Sequence, residues 1–135
     1  MSAICFVVAG VVRAVLPGQE ITLAWDHSVE KTRWEERYHS DGKVLVLVEA
    51  RVRALGAGMD PPPGAQLSGG VWSWRPNTTH AELRLTRSPY AGDYTVCFEG
   101  RCDGLDALTG AVVEGAPVVV RACDGGAAPA SAGGG

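Results

Sequence analysis

Titratable side chains stand at the edge of three apolar rows in this sequence. Within residues 21–27 the odd positions are apolar until His27, Glu36 lies between two aromatic residues, and the odd row that starts at Leu45 becomes charged at Glu49. Alternate residues of a β-strand share a face, so each row predicts a charged group beside apolar ones. Buried charges are unfavourable unless they are paired. We therefore expect one shared polar cluster at one end of a sheet, formed by His27, Glu30, Glu36, Glu49 and Arg51.

Such a cluster could serve as a structural salt-bridge network, as a site for a polar ligand, or as a metal site of His27 and carboxylates. One histidine and acids without regular spacing make a weak metal pattern. The sequence therefore predicts neither a metal nor another cofactor. The cluster also assumes that the even positions from Val44 to Val52 form one face of a strand and the odd positions from Leu45 to Arg53 the other.

Patterns that suggest catalysis fail on geometry. Asp26-His27-Ser28 contains the residue types of a triad, but adjacent strand residues point to opposite faces. Gly56-Ala57-Gly58 begins like a dinucleotide-binding loop, but it lacks the third glycine and the helix that would follow. A hydrolase with Glu36 or Glu49 as base would lack a nucleophile and an oxyanion motif. We expect no enzyme.

A rigid loop is predicted at Asp60-Pro61-Pro62-Pro63-Gly64, because proline lacks the N–H group that a sheet requires. Gly56 and Gly58, with Met59 after them, precede it and permit positive φ angles. The segment is interpreted either as a surface crossover between strands or as a loop whose backbone approaches a ligand or partner.

Period-two patterns and turn residues predict an all-β fold, an antiparallel sandwich or partly open barrel of about eight or nine short strands. One helical turn is expected near Leu105–Leu108. Residues 1–124 are predicted to form one domain, and residues 125–135, which are only Gly, Ala, Ser and Pro, a flexible tail. The predicted strands are Ile4–Ala9, Val11–Leu16, Glu20–His27, Thr32–His39, Lys43–Ala54, Gly70–Trp74, Ala81–Arg87, Tyr94–Phe98 and Val118–Cys123.

The charge and the N-terminal segment restrict the partners. The net charge is −3 without a basic stripe, which argues against nucleic-acid binding. The apolar run from Ala3 to Leu16 contains Arg13, is split by Gly10, and is shorter than the ~20 residues that span a bilayer. It is interpreted as two strands rather than a signal or membrane segment. The sequence leaves the compartment open: as written it fits a cytoplasmic protein, and with a misassigned start codon it fits one at the extracytoplasmic face of the membrane.

Cys97 and Cys102 are positioned to face each other across a hairpin whose two turn residues are Glu99 and Gly100. Directly opposite strand residues lie within disulfide range, so the pair forms a bridge if oxidised and two small apolar side chains if reduced. The four cysteines lack zinc-ligand spacing. Trp72 and Trp74 share a strand face and are interpreted as core residues or as an aromatic binding surface.

A series of short motifs runs along most of the chain. In order, they are His27-Ser28-Val29-Glu30-Lys31, Trp34-Glu35-Glu36, Leu47-Val48-Glu49-Ala50-Arg51, Gly56-Ala57-Gly58-Met59, Pro61-Pro62-Pro63-Gly64-Ala65, Val71-Trp72-Ser73-Trp74-Arg75-Pro76, Arg87-Ser88-Pro89, and Asp93-Tyr94 with Cys97 and Cys102. With these motifs the sequence resembles the bacterial family labelled domain of unknown function 1850 over about Glu20 to Leu108. The resemblance implies that the gene lies beside those of a TAXI-type TRAP transporter, which imports small organic acids. It implies no activity and no site residues, and many relatives begin with an export signal or membrane segment.

These observations predict a non-catalytic accessory or binding domain whose partner is the permease or the solute-binding protein of such a transporter. The alternative is a stand-alone β domain that binds a small ligand or a metal. The residues expected to contact the ligand or partner are His27, Ser28, Glu30, Glu36, Glu49, Arg51, Gly56, Gly58 and Met59.

Overall fold

The computed structural model describes residues 2–27, 32–53, 61–86, 94–110 and 115–124, with His27 described only in its backbone. These residues form twelve strands and one short helix. The elements are β1 (Ser2–Val8), β2 (Val11–Pro17), β3 (Glu20–His27), β4 (Thr32–Ser40), β5 (Leu45–Arg53), β6 (Gln66–Ser68), β7 (Val71–Trp74), β8 (Thr78–His80), β9 (Leu83–Leu85), β10 (Thr95–Phe98), β11 (Arg101–Gly104), α1 (Leu105–Thr109) and β12 (Val118–Asp124).

The strands build two antiparallel sheets, so the predicted all-β fold is confirmed, and the sheets do not close into a barrel. The small sheet has the order β2-β1-β12-β9, and the large sheet has the order β11-β10-β3-β4-β5-β7-β6 with β8 on β5. The sequence pattern does not predict β6 and β8, because three-residue strands that are largely exposed show no hydrophobic period. No helix among the described residues is long and apolar enough to cross a membrane.

The core lies between the two sheets and is built from the inward side of each strand. β1 is buried along almost its whole length because it is a central strand of the small sheet. Its residue Phe6 is fully buried. The helix α1 adds Leu105, and its amide donates a hydrogen bond to the carbonyl oxygen of Tyr94 at 2.8 Å. The buried cluster contains Ile4, Phe6, Val8, Ile21, Leu23, Tyr38, Leu45, Leu47, Leu85, Val96, Leu105, Val118 and Val120.

A β-bulge interrupts the pairing of β4 with β5. Arg37 is opposite Glu49 and Tyr38 is opposite Leu47, so Val48 is an extra residue without a partner in β4. Because side chains alternate, one extra residue moves the following residues of β5 to the other face. The buried residues of β5 are odd-numbered before the bulge (Leu45, Leu47) and even-numbered after it (Ala50, Val52). The predicted continuous face from Val44 to Val52 is therefore wrong.

Two disulfides join strands that are neighbours in a sheet. Cys97 and Cys102 are bonded across the β10–β11 hairpin, where they are directly opposite. Cys5 and Cys123 are bonded between β1 and β12 across 118 residues of sequence. Nothing in the sequence spacing predicts the second bridge, because it depends on the pairing of the first strand with the last.

Candidate functional site

The predicted polar cluster is divided between the two faces of the large sheet. Glu36 is opposite Leu23 and Ala50 and therefore shares their core-facing side. Glu49 and Arg51 point to the opposite side, here called the outer face. The single cluster is thus a wrong prediction, because the bulge at Val48 reverses the side on which Glu49 and Arg51 lie. Of the other candidates, His27 is described only in its backbone, and Ser28, Glu30, Gly56, Gly58 and Met59 lie outside the described residues.

The outer face carries a network of alternating charges across β3, β4 and β5, here called the charge ladder. Arg51 approaches Glu35 to 2.8 Å, and Arg37 lies 3.6 Å from Glu49. Each of these pairs is directly opposite in the register of β4 and β5, and cross-strand pairs of opposite charge contribute about 0.2–1 kcal/mol each. These ion pairs favour the interpretation of Glu49 and Arg51 as members of a structural salt-bridge network. The ladder consists of Glu20, Asp26, Arg33, Glu35, Arg37, His39, Glu49 and Arg51.

Glu36 has a different environment, because it is half-buried among aromatic residues. Its Oε1 atom accepts a hydrogen bond of 2.8 Å from the hydroxyl group of Tyr38, two residues along the same strand. Burial, followed by the nearby Glu36 carboxylate, raises the pKa of Tyr38 above its usual value. The Tyr38 phenol is therefore held as a neutral hydrogen-bond donor to a carboxylate.

Replacing Tyr38 by phenylalanine tests this hydrogen bond. We expect Tyr38→Phe to lower the free energy of unfolding by about 1.5–3 kcal/mol, because it removes the donor to a partly buried charged group. The pKa of Tyr38 is higher in the folded state than in the unfolded state, so the unfolded state loses the phenol proton first as the pH rises. The stability of the wild type should therefore fall as the pH rises from about 10. The variant should lose less stability over that alkaline range. Urea denaturation at pH 7 and at alkaline pH measures both effects.

The matched control for that prediction is Glu36→Gln, which keeps an oxygen that can accept from Tyr38 and should be less destabilising. Equal stability of Tyr38→Phe and wild type, at neutral and alkaline pH, would contradict the assigned hydrogen bond.

An aromatic row occupies the core-facing side of the large sheet beside Glu36. The rings of Trp25 and Trp34 are stacked with centroids 6.2 Å apart, and Trp74 meets Trp34 edge-on at 6.5 Å. Tyr94 lies 5.5 Å from Trp25. Trp72 and Trp74 are both half-buried. They share the side of the core without joining the buried cluster, so both interpretations of this pair stay predictions.

Two concave surfaces on the outer face contain the predicted residues Glu49 and Arg51. The arginine hollow, of about 130 Å³, is lined by Arg33, Glu35, Arg51, Arg53 and Val71. The proline cleft, of about 470 Å³, is lined by Glu49, Pro62, Pro63, Gly64, Gln66, Ser73, Trp74, Arg75 and Pro76. The two are neighbours, since Arg51 of the hollow is directly opposite Ser73 of the cleft.

The chemistry of this pair of surfaces is that of anion binding. Three arginines and one carboxylate line the arginine hollow, and that carboxylate, Glu35, lies 3.8 Å from Arg33 and 2.8 Å from Arg51. Arg53 there and Arg75 in the cleft are exposed and form no ion pair with any described residue. A guanidinium group offers five donors in a planar arrangement that matches a carboxylate or phosphate. Within the described ranges no group of three metal-ligating side chains occurs.

Sequence reasoning missed Arg53, Gln66, Ser73 and Arg75 as members of this surface. The available signal was arginine at two alternate positions of β5, Arg51 and Arg53, but the bulge hid which positions point outward. Pro62, Pro63 and Gly64 of the predicted rigid loop line one side of the cleft that also contains Glu49, and both interpretations of that loop stay predictions.

Comparison with known proteins gives one match. A family model described as a domain of unknown function (DUF1850) matches residues 21–105, which run from the second residue of β3 through β11 and therefore include both concave surfaces. Neither a search of curated proteins nor a search of solved structures gave a match. Since the matched residues make up more than half of the sequence, the chain belongs to the family described as domain of unknown function DUF1850.

Proposed function

We propose that this chain is a non-catalytic accessory domain of a TAXI-type TRAP transporter for small organic acids, and that it binds an anionic group of that system on its outer face. The observation that carries the proposal is the arginine hollow, whose lining contains three arginines, Arg33, Arg51 and Arg53, and one carboxylate, Glu35. The anionic group belongs to the permease, to the solute-binding protein or to the transported acid.

The electrostatics of the hollow favour an added anion. The Glu35 carboxylate lies 2.8 Å from Arg51 and 3.8 Å from Arg33, so one carboxylate forms ion pairs with two guanidinium groups. Arg33 also lies 3.5 Å from the exposed Asp26, whereas Arg53 has no ionic partner among the described residues. The positive charge that remains is available to a carboxylate, and such charge-assisted bonds are stronger than neutral ones.

The proline cleft extends the same surface and suits the remainder of a bound molecule or partner segment. The cleft needs no rearrangement to stay open, because the prolines of its wall, Pro62 and Pro63, restrict the backbone. Glu49 and Arg75 add one charge of each sign. The carboxylates of the charge ladder are held in ion pairs by arginine, which favours recognition over proton transfer as their role.

The disulfides support an oxidising location for this contact. All four cysteines of the sequence are paired, and disulfides persist in extracytoplasmic compartments and are rare in the cytoplasm. The proposal therefore places the domain on the extracytoplasmic side of the membrane.

Co-purification with the permease and the binding protein tests the proposal. The tagged domain is co-expressed with both proteins and isolated in detergent, as wild type and as the double variant Arg53→Gln with Arg75→Gln. Each substitution removes a guanidinium group that has no ionic partner among the described residues. We therefore expect at least tenfold weaker capture by the double variant, equivalent to about 1.4 kcal/mol or more.

The control is Arg84→Gln on β9 of the small sheet, which removes an exposed arginine far from the outer face in the fold and should leave capture unchanged. Absence of any association with both partners present, or equal capture by wild type and the double variant, would contradict the proposal.

The volume of the proline cleft favours a second candidate, a stand-alone domain that binds a small organic acid. Its 470 Å³ fall within the range of about 300–1,000 Å³ typical of ligand sites. In that case a small dicarboxylate should raise the Tm of the isolated domain, and the double variant should lose this effect while Arg84→Gln keeps it.

A further inference from the structure

A second pocket opens between the two sheets, on the side opposite the outer face. It has a volume of about 190 Å³ and lies under the β10–β11 hairpin, where β2 and α1 close the sandwich. We call it the hairpin pocket. Its lining consists of Leu16, Val96, Phe98, Glu99, Arg101, Asp103 and Leu108.

The floor of the hairpin pocket is apolar and contributed by separate elements. Leu16 comes from β2, Val96 and Phe98 from β10, and Leu108 from α1. A cavity of about 150 Å³ lined by such side chains accepts a benzene molecule. The pocket is therefore large enough for the side chain of leucine or phenylalanine, whose burial is favourable.

The mouth of the pocket carries charges of both signs. Arg101 and Asp103 lie 3.7 Å apart, with side chains 83% and 45% exposed, and Glu99 is beside them in the hairpin turn. Arg101 has five N–H donors and uses few of them on this long contact, so it can donate to a second carboxylate. Glu99 and Asp103 can in turn accept hydrogen bonds from an ammonium group.

The hairpin that presents these charges is held rigidly. Cys97 and Cys102 are bonded on the other side of the hairpin, so Phe98, Arg101 and Asp103 are fixed on the side of the pocket. A rigid site loses less conformational entropy when a ligand binds.

Glu99 occupies its position in the turn against its own backbone preference. Its φ angle is +50°, and Gly100 follows with φ of +79°. Such two-residue turns favour Asn-Gly or Asp-Gly, because few other residues adopt positive φ without strain. Of the three described non-glycine residues with positive φ, Glu99 alone carries a charge. Strained residues are concentrated at functional sites, and this one lies at the mouth of a pocket.

We propose that the hairpin pocket binds a free α-amino acid with an apolar side chain. The side chain enters between Leu16, Phe98 and Leu108, the carboxylate binds Arg101, and the ammonium group binds Glu99 and Asp103. Two charges of opposite sign next to an apolar cavity match a zwitterion of this kind, whereas a simple acid or amine would leave one half of the mouth unsatisfied. This inference does not depend on the proposed function of the outer face.

Isothermal titration of the full chain with L-leucine and L-phenylalanine tests the proposal. We expect both to bind, and we expect N-acetyl-leucine and leucinamide, which lack one of the two charges, to bind at least tenfold more weakly. Arg101→Gln should reduce the affinity for L-leucine at least tenfold, and because the Arg101 side chain is 83% exposed, its replacement leaves the packing of the core unchanged. The outer-face variant Arg53→Gln should bind L-leucine like wild type, which separates this test from that of the transporter contact.

Glu99→Asn gives a second test, because replacing a residue with a purely structural role would not raise the Tm and weaken binding at the same time. Because asparagine tolerates positive φ, we expect the variant to have a Tm a few degrees higher than wild type and to bind L-leucine more weakly. Absence of heat and of chemical-shift changes with both amino acids would overturn the proposal. So would unchanged affinity in both Arg101→Gln and Glu99→Asn, or equal binding of leucinamide and leucine.

Discussion

Replacing Cys5 and Cys123 together by alanine is expected to lower the free energy of unfolding by about 5 kcal/mol. The bridge closes a loop of 118 residues, and loop-closure entropy in the unfolded chain grows with the logarithm of that length. Cys5 is also buried, so its shortened side chain leaves unfilled space in the centre of the small sheet. Urea denaturation without reductant, for wild type and the double variant, measures the difference.

The second bridge provides the matched control for the first. Cys97 and Cys102 are five residues apart, so their double replacement by alanine should cost about 2 kcal/mol. Mass spectrometry after alkylation of the unfolded, unreduced wild type should show no modified cysteine. Equal losses from the two pairs, or four alkylated cysteines in wild type, would contradict this account.

The second large effect is expected at Phe6. We expect Phe6→Ala to lower the free energy of unfolding by about 3–5 kcal/mol, the usual range for removal of a fully buried aromatic ring. Phe6 is fully excluded from solvent and lies on β1 between β2 and β12, where it belongs to the cluster that joins the two sheets. Urea or thermal denaturation measures the loss.

Phe6→Leu is the control for this change. It keeps most of the apolar volume and should lower the free energy of unfolding much less than Phe6→Ala does. A loss under about 1.5 kcal/mol for Phe6→Ala would mean that the two sheets do not depend on this ring for their packing.

The elements of this fold follow from the sequence where the hydrophobic period is long and undisturbed. The bounds of β3 are those predicted, and β4 extends one residue beyond its prediction, because both strands carry clear alternation between turn residues. β5 was predicted as one strand with a continuous even row and a continuous odd row, and the bulge breaks both rows. Alternation cannot reveal Val48 as an extra residue, because its lack of a partner is a property of the pairing with β4.

The candidate site could be predicted only in part, for the same reason. Glu49 and Arg51 were identified from their charge within an apolar strand, and both line concave surfaces of the outer face. Glu36 was grouped with them although its carboxylate lies on the other side, bound by Tyr38. The cleft itself combines a residue of β5 with residues of the proline segment and of β7. Which of these residues lie close together depends on the strand order in the sheet, which the sequence pattern does not show.

The pairing of β1 with β12 has a consequence for anything attached to this domain. Ser2 is directly opposite Asp124, so the first and the last described residues lie side by side at the same end of the two inner strands of the small sheet. A tether, tag or neighbouring module fused before Ser2 or after Asp124 would therefore leave from the same place and would hold the domain in nearly the same orientation. Attachment directly at Ser2 and attachment directly at Asp124 should therefore present the same surfaces to a binding partner.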